Sequence, residues 1–533
     1  MKKNLLGVSL LTVTGLYVML SAVIILVTVL LHQPVIIGIG ISIVVLIIQF
    51  LISPFLTDLS MKWFYKAKFN QDIPEYLKSF IEDVCKKENM KYPRIGFIDD
   101  GAPNAFTYGH TKNDARIIIT RGILELLTED EVKAVVGHEL GHAVHYDMLF
   151  MTVAQLVPLV LYGIYEMLIR SDNNSSSNND NSYGALIAII AYILYVISNY
   201  IILWLSRTRE YYADSYSIEI TQKPNSLASA LVKVGYGLTT AKSTGKHSAS
   251  KSNALGIFDS KSSKSLVVSS YENGQISKDH IKQAMKWEQW NLWAKWYEFN
   301  STHPLISKRL LAISARSKEF NEEPYIIFDL EKTESYVDDF LIEILINFIP
   351  SLVLIAGAIV AIIEFCLEKV NTGIIITSAT LLLTLIFSLI KFNRRHPNKN
   401  YEPRKVRDLL GEVKVSNITA VPCSLEGEVI GRGDPGYIFN EDMTIQDDTG
   451  LIFLDYNQPL FILNKIYGLF KNKNNIGKTV KVKGWYRRSP VPYVEIRSYE
   501  VDGKEKKIAT YTLSKILYVL WFIIALLPLL LII

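Results

Sequence analysis

Cysteine is scarce, with only Cys85, Cys366 and Cys423 in 533 residues and no CxxC spacing. That suggests neither a disulfide framework nor a thiolate metal site, and it fits a reducing compartment. Net charge is small as well: 56 basic against 52 acidic residues leave +4, which by itself points to no class of partner. Charged residues make up 20% of the chain against 49% hydrophobic, and mean hydropathy is +0.20, more apolar than soluble domains of this size usually are.

What is there explains the excess. Uncharged apolar runs of membrane-spanning length, about 20 residues each, fall at 5–31, 35–56, 149–169, 185–205, 344–363, 373–390 and 516–533. They read as up to seven transmembrane helices. Lys2 and Lys3 before the first run would suit a cleavable signal, but the run is too long and a second follows almost at once. The short turns 32–34, 171–184 and 368–372 hold almost no basic residues. Lys2, Lys3, Lys62, Lys66, Lys68, Arg207, Arg209, Lys391, Arg394 and Arg395 all lie on the other side. By the positive-inside rule, the N-terminus, 57–148, 206–340 and 391–515 are expected on the cytoplasmic side of a multi-pass cell-membrane protein, with the C-terminus outside.

The fold class expected is a mainly α membrane protein carrying an α+β domain and a small C-terminal β-domain. The domains are expected at 1–56 (first hairpin), 57–340 (including the hairpin 149–205), 341–392 (third hairpin), 401–510 (β-domain) and 513–533 (last span). Within 57–148, Ile73–Glu88 has helical apolar spacing, and Arg94–Asp99 and Ala115–Thr120 read as strands. Thr128 and Glu131 resemble a capping box opening a helix from about Glu129 to about His145. The Asn/Ser-rich turn 171–182 and the Ser/Lys-rich stretch 241–265 read as solvated connectors, with a lid over a cleft as the alternative for the second. Alternating segments such as 480–486 and 493–499 make 401–510 a barrel-like domain, of the oligonucleotide/oligosaccharide-binding type as the specific expectation.

Chemistry is concentrated in His138-Glu139-Leu140-Gly141-His142. On a helix, residues four apart share a face, so both imidazoles reach one cation and Glu139 stands beside them to act on a water. A catalytic zinc needs a third protein ligand. Glu210, in the stretch Ser206–Asp214, is the best candidate, because the first motif lies just before one span and Glu210 just after the returning span. Asp214 follows one turn later on the same face, where it can accept the second N–H of a ligating histidine. Its competing reading is a surface ion pair with Arg207 or Arg209. His145 competes as third ligand but lacks the glycine turn that lets a histidine double back. Glu219 and Asp147 are weaker candidates.

HELGHAVHYDM at 138–148, SRTREYYAD at 206–214 and STHPLISKR at 301–309 together resemble the three signatures of the M48 metallopeptidases, the group of the HtpX-type heat-shock proteases and the Ste24-type CAAX-processing enzymes. The resemblance covers about 60–340. It implies a gluzincin-like domain with one Zn2+ per subunit held by His138, His142 and Glu210, and Glu139 as general base. It also implies Asp214 and Arg309 as supporting residues and His303 as a donor to the tetrahedral intermediate. Asn104, Ala105 and Phe106 look like the family's substrate-binding segment, beside a sheet edge formed by the strand 115–120, although packing in the core is the competing reading for Phe106.

The activity implied is metalloendopeptidase cleavage of membrane or membrane-associated proteins at the cytoplasmic face, in protein quality control. The alternatives are Ste24-like processing of a lipidated substrate, and a non-catalytic zinc-stabilised scaffold. The partners expected are protein or peptide substrates and the lipid bilayer. Trp485, Tyr486, Arg487 and Arg488 suggest nucleic-acid binding by the β-domain, but the acidic stretch Glu441–Asp448 weighs against it, and no nucleic acid is expected.

Overall fold

The computed structural model describes residues 2–30, 35–69, 72–174, 182–240, 271–272, 275–276, 278–328, 334–432, 440–470 and 472–531. Most of the turn 171–182 and all of the stretch 241–265 therefore lie outside the described residues. The chain divides into two compact units, one of residues 1–263 and 298–327, the other of 264–297 and 328–533.

The first unit opens with α1 (Lys2–Leu30) and α2 (Val35–Trp63). A small sheet follows, built from β1 (Lys68–Phe69), β2 (Arg94–Ile98), β3 (Ala105–Gly109) and β4 (Ala115–Thr120) in the order β1-β2-β4-β3. The helix α3 (Glu75–Glu88) precedes β2 in the chain, and the short α4 (Arg121–Leu126) follows β4. Only β2 and β4 run parallel. The edge of this sheet is β3, not β4: Ala105–Gly109 pairs antiparallel with Ala115–Ile119, so the sequence reading misplaced the edge by one strand.

The helix α5 (Glu129–Val144) starts as its sequence signalled. Thr128 Oγ1 accepts from the Glu131 N–H at 3.4 Å, and Glu131 Oε2 accepts from the Thr128 N–H at 2.8 Å. Those bonds satisfy two amides that the first turn would leave unpaired. Tyr146 then takes a positive φ of 59° and turns the chain into α6 (Asp147–Asn174).

One unbroken 40-residue helix, α7 (Ser182–Thr221), carries both the returning span and Glu210. Apolar side chains of α1, α6 and α7, among them Leu20, Val157, Leu161 and Ala188, form one core cluster. Glycine decides how closely α5 meets α7. A Cβ on Gly141 would stand 3.1 Å from the Ala213 Cα, so at this approach α7 would have to yield by a few tenths of an ångström. The unit closes with α8 (Pro224–Thr240) and, after the segment that joins the other unit, with α11 (Ile306–Ser317).

The second unit contains a short hairpin, β5 (Tyr271–Glu272) and β6 (Gln275–Ile276), followed by α9 (Lys278–Trp290) and most of α10 (Leu292–Phe299). Residues 264–297, expected to continue the peptidase domain, pack with this unit. Trp287 Nε1 and Asn291 Nδ2 donate to the Val415 and Val413 carbonyls at 2.7 and 2.8 Å. A membrane hairpin follows, formed by α12 (Val337–Cys366) and α13 (Val370–Arg395), in which Gly357 lies tightly against Thr380.

The C-terminal strands are β7 (Glu402–Pro403), β8 (Val421–Arg432), β9 (Met443–Gln446), β10 (Leu451–Asp455), β11 (Thr479–Ser489), β12 (Val491–Val501) and β13 (Lys504–Lys507), with α14 (Val406–Leu410) before β8. β8-β9-β10-β12-β11 close on themselves, with β10 and β12 the one parallel pair of the barrel and α15 (Phe461–Phe470) inserted between β10 and β11. This is a five-stranded barrel of the oligonucleotide/oligosaccharide-binding type. The helix α16 (Thr510–Leu526) follows it.

Trp485, Tyr486, Arg487 and Arg488 are all buried and offer no surface to a nucleic acid. Arg487 donates to Glu495 and Arg488 to the Leu410 and Ala284 carbonyls.

Among the described residues, six helices are long and apolar enough to cross a membrane: 5–28, 147–170, 184–221, 337–366, 370–395 and 510–531. The further expected run, 35–56, lies in α2, several of whose side chains fall outside the description.

Candidate active site

The site is assembled from α5, α7, β3 and the segment entering α11. His138 and His142 lie one turn apart on α5, and their Nε2 atoms face each other at 3.2 Å. The Glu210 carboxylate comes from α7: its Oε2 is 3.6 Å from His138 Nε2 and its Oε1 3.7 Å from His142 Nε2. One ligand atom from each of these three residues lies within 4.8 Å of the others.

Each imidazole has a carboxylate behind it. His138 Nδ1 is 2.9 Å from Asp214 Oδ1, and His142 Nδ1 is 2.6 Å from Asp147 Oδ2. A carboxylate at Nδ1 favours the proton there and leaves the Nε2 lone pair pointing into the cluster. Glu210 Oε2 is buried, and no hydrogen bond reaches it among the described residues, although His303 Nδ1 and Arg309 Nη1 stand 3.3 and 3.4 Å away.

Electrostatics point the same way. Burial works against charge on His138, but the Asp214 and Glu210 carboxylates outweigh it and raise its pKa above the ordinary histidine value. Burial, reinforced by His138, lowers that of His142. Two imidazole nitrogens and a carboxylate thus converge where the surrounding carboxylates favour positive charge. That donor set fits a catalytic metal dication.

Around this centre, Arg309 binds Asp214 through two hydrogen bonds, Nε to Oδ2 at 2.9 Å and Nη2 to Oδ1 at 2.6 Å. The guanidinium is 1% exposed, so the pair is out of water and its two-pronged geometry fixes the carboxylate. Thr107 Oγ1, on the edge strand β3, lies 2.8 Å from Glu139 Oε2 and 3.1 Å from the Glu139 carbonyl, within donating distance of both. Glu139 directly follows His138 on α5 and is itself buried.

The structure thus brings His138, Glu139, His142, Glu210, Asp214, His303 and Arg309 into one neighbourhood. It does not bring His145 there: that ring packs edge-on against Tyr212 and Tyr216 at 6.3 and 5.6 Å. Glu219 stands apart too, 3.7 Å from Arg316.

Asn104, Ala105 and Phe106 are buried at the head of β3. Phe106 packs with Met61, Ile98, Tyr108 and Ile118, on the face opposite Thr107. The roles of two supporting residues went unread in the sequence. Thr107 directly follows the Asn104–Phe106 segment, and strand alternation aims it at α5. Asp147 was weighed only as a weak ligand. It instead accepts from His142 and from Arg209, whose Nη2 donates to Ser9 Oγ on α1 at 2.6 Å.

The sequence model of peptidase family M48 matches residues 73–317. A protease HtpX homologue of Methanothermobacter thermautotrophicus is 40% identical over 190 residues, which cover 36% of this chain and 69% of that protein. The chain belongs to peptidase family M48. A second HtpX homologue, from Picrophilus torridus, is 29% identical over 276 residues, 51% of this chain and 82% of its own. Among solved structures, the S. mikatae Ste24p crystal structure aligns with a TM-score of 0.33 and 19% identity over 51% of this chain and 57% of that one. The M48 match spans the three motifs and ends at the last residue of α11, so the barrel and its flanking spans lie beyond it. The chain is accordingly an M48 metallopeptidase and a multi-pass membrane protein.

Proposed function

We propose that the chain is a membrane-anchored zinc endopeptidase that cuts membrane or membrane-associated proteins at the cytoplasmic face, in protein quality control. The observation that carries this reading is the convergence of His138, His142 and Glu210 with Glu139 alongside. Two imidazoles and a carboxylate are the ligand set of a zinc site that keeps one position open. Zinc bound there supplies Lewis acidity that activates water and polarises a carbonyl.

The chain's own residues do the rest. Asp214 and Asp147 hold His138 and His142 in the tautomer that presents Nε2, and Arg309 holds Asp214. Glu139, steadied by the Thr107 hydroxyl, takes the proton of the attacking water and returns it to the leaving amine. His303, next to Glu210, donates to the oxyanion that develops on the scissile carbonyl. The β3 edge offers backbone groups to which an extended substrate pairs. The cytoplasmic placement rests on the bias of Lys and Arg toward one side of the spans.

Comparing β-casein hydrolysis and zinc content of the purified chain with those of Glu139→Gln tests the reading. The variant should keep zinc and lose about 100-fold or more of its activity. Full activity in a zinc-loaded variant would refute the role of Glu139.

A further inference from the structure

The second unit contains a cavity of about 550 Å³ where the barrel meets α16, lined by Tyr401, Lys483, Arg497, Lys507, Tyr511 and Lys515, with Glu505 the one carboxylate on its wall. We propose that it binds the phosphate of an anionic lipid headgroup.

The strands concentrate the charge there by register. Lys483 of β11 and Lys507 of β13 are the two cross-strand neighbours of Ser498 on β12, which places two ammonium groups on either side of one hydroxyl. β12 also carries an extra residue at this point. Lys483 pairs with Ser498 but Gly484 with Ile496, so Arg497 is bulged out of the β11 ladder. A bulge re-aims its side chains, and here Arg497 joins Ser498 in lining the cavity instead of taking the opposite face of the sheet.

The guanidinium is held in place by aromatic groups. It donates to the Tyr401 hydroxyl at 2.7 Å and lies 5.4 and 5.0 Å from the Tyr401 and Tyr511 ring centroids. Lys515 sits 4.6 Å from the Tyr511 ring. Among the described residues, none of these four cations forms an ion pair with a carboxylate, Glu505 included. Four unneutralised cations around a cavity, with the Arg497 guanidinium held in place among them, suit a phosphate.

The position selects a lipid over other phosphates. α16 has the length and apolarity of a span, and Tyr511 and Lys515 lie in its first two turns. Phe392, in the last turn of the span α13, stacks on Tyr511 at 5.5 Å, so two spans end beside the cavity. Tyrosine and lysine at span ends mark the level of the headgroups. Basic pockets at that level recognise anionic lipids.

The full-length chain, purified and delipidated in neutral detergent, is titrated with dioleoyl phosphatidylglycerol, dioleoyl phosphatidylcholine, inorganic phosphate and a single-stranded oligonucleotide. Lys507→Gln/Lys515→Gln is compared with Lys504→Gln/Lys506→Gln, an equal charge loss on β13 outside the cavity, and melting temperatures check that both remain folded. Phosphatidylglycerol is expected to bind saturably and more tightly than phosphatidylcholine, with affinity falling about 20-fold in the first variant and little in the second. Saturable inorganic phosphate binding lost in the same variant would support the phosphate site and make a soluble phosphate compound its source. Oligonucleotide binding without lipid preference, or equal effects of the two variants, would overturn the proposal.

Discussion

Asp147→Asn separates two jobs done by one buried side chain. One carboxylate oxygen accepts from His142 Nδ1 at 2.6 Å, and the other pairs with Arg209, whose remaining described hydrogen bond is to Ser9. An amide cannot serve both partners, because its NH2 would have to face one of two donors. If the amide oxygen stays with His142, the NH2 group confronts Arg209. If it turns, His142 loses the acceptor that fixes its tautomer.

Losing such a partner weakens metal binding about 10- to 100-fold, equivalent to about 1.4–2.7 kcal/mol. Leaving Arg209 buried without its counter-charge costs a further ~3–5 kcal/mol of stability. Zinc affinity by competition with a chromophoric chelator, and thermal unfolding in detergent, read the two effects separately. Adding Arg209→Gln should return much of the stability, since the two amides can pair with each other, while zinc affinity stays low. A folded Asp147→Asn with wild-type melting and zinc affinity within about twofold of wild type would refute this reasoning.

Glu131 makes stability depend on acid. Burial would raise its pKa, but bonds from Lys233 and Ser229 and from the Thr128 amide outweigh burial and lower it. A depressed folded pKa means the stabilisation is present above the unfolded value of about 4.3 and is lost as pH falls through the lower folded value. Glu131→Gln should therefore lose about 1–3 kcal/mol near neutrality and show a flatter melting profile as pH falls below about 5. For His303→Ala, kcat on a peptide substrate should fall about 100- to 1000-fold with KM and zinc content little changed. A variant that loses zinc instead would assign His303 to the metal.

The parts of the site that follow helical arithmetic were legible in the chain. His138 and His142 are one turn apart, Glu210 and Asp214 likewise, and the membrane hairpin between the two pairs returns them to one end. Thr128 and Glu131 form the capping box that their spacing implies. The role of Asp147 behind His142 escaped because it lies five residues on, beyond the left-handed turn at Tyr146, where helical periodicity no longer predicts neighbours.

The sheet edge was misassigned because 105–109 holds only five residues and carries no strong alternation, so the β-branched run 115–120 drew attention instead. In β11 the period-2 pattern fails as well. Gly484–Arg488 are buried on both faces, with Arg488 reaching the Ala284 carbonyl behind the strand. A sequence rich in Trp, Tyr and Arg there looked like a binding surface and is core.

Metal content and the zinc K-edge absorption spectrum of the purified full-length chain test the central claim most directly, with Glu210→Ala alongside. One zinc per chain in a shell of nitrogen and oxygen with two imidazoles, and loss of that zinc in Glu210→Ala, is the predicted result. Sulfur in the shell, or zinc retained undiminished without the Glu210 carboxylate, would contradict it.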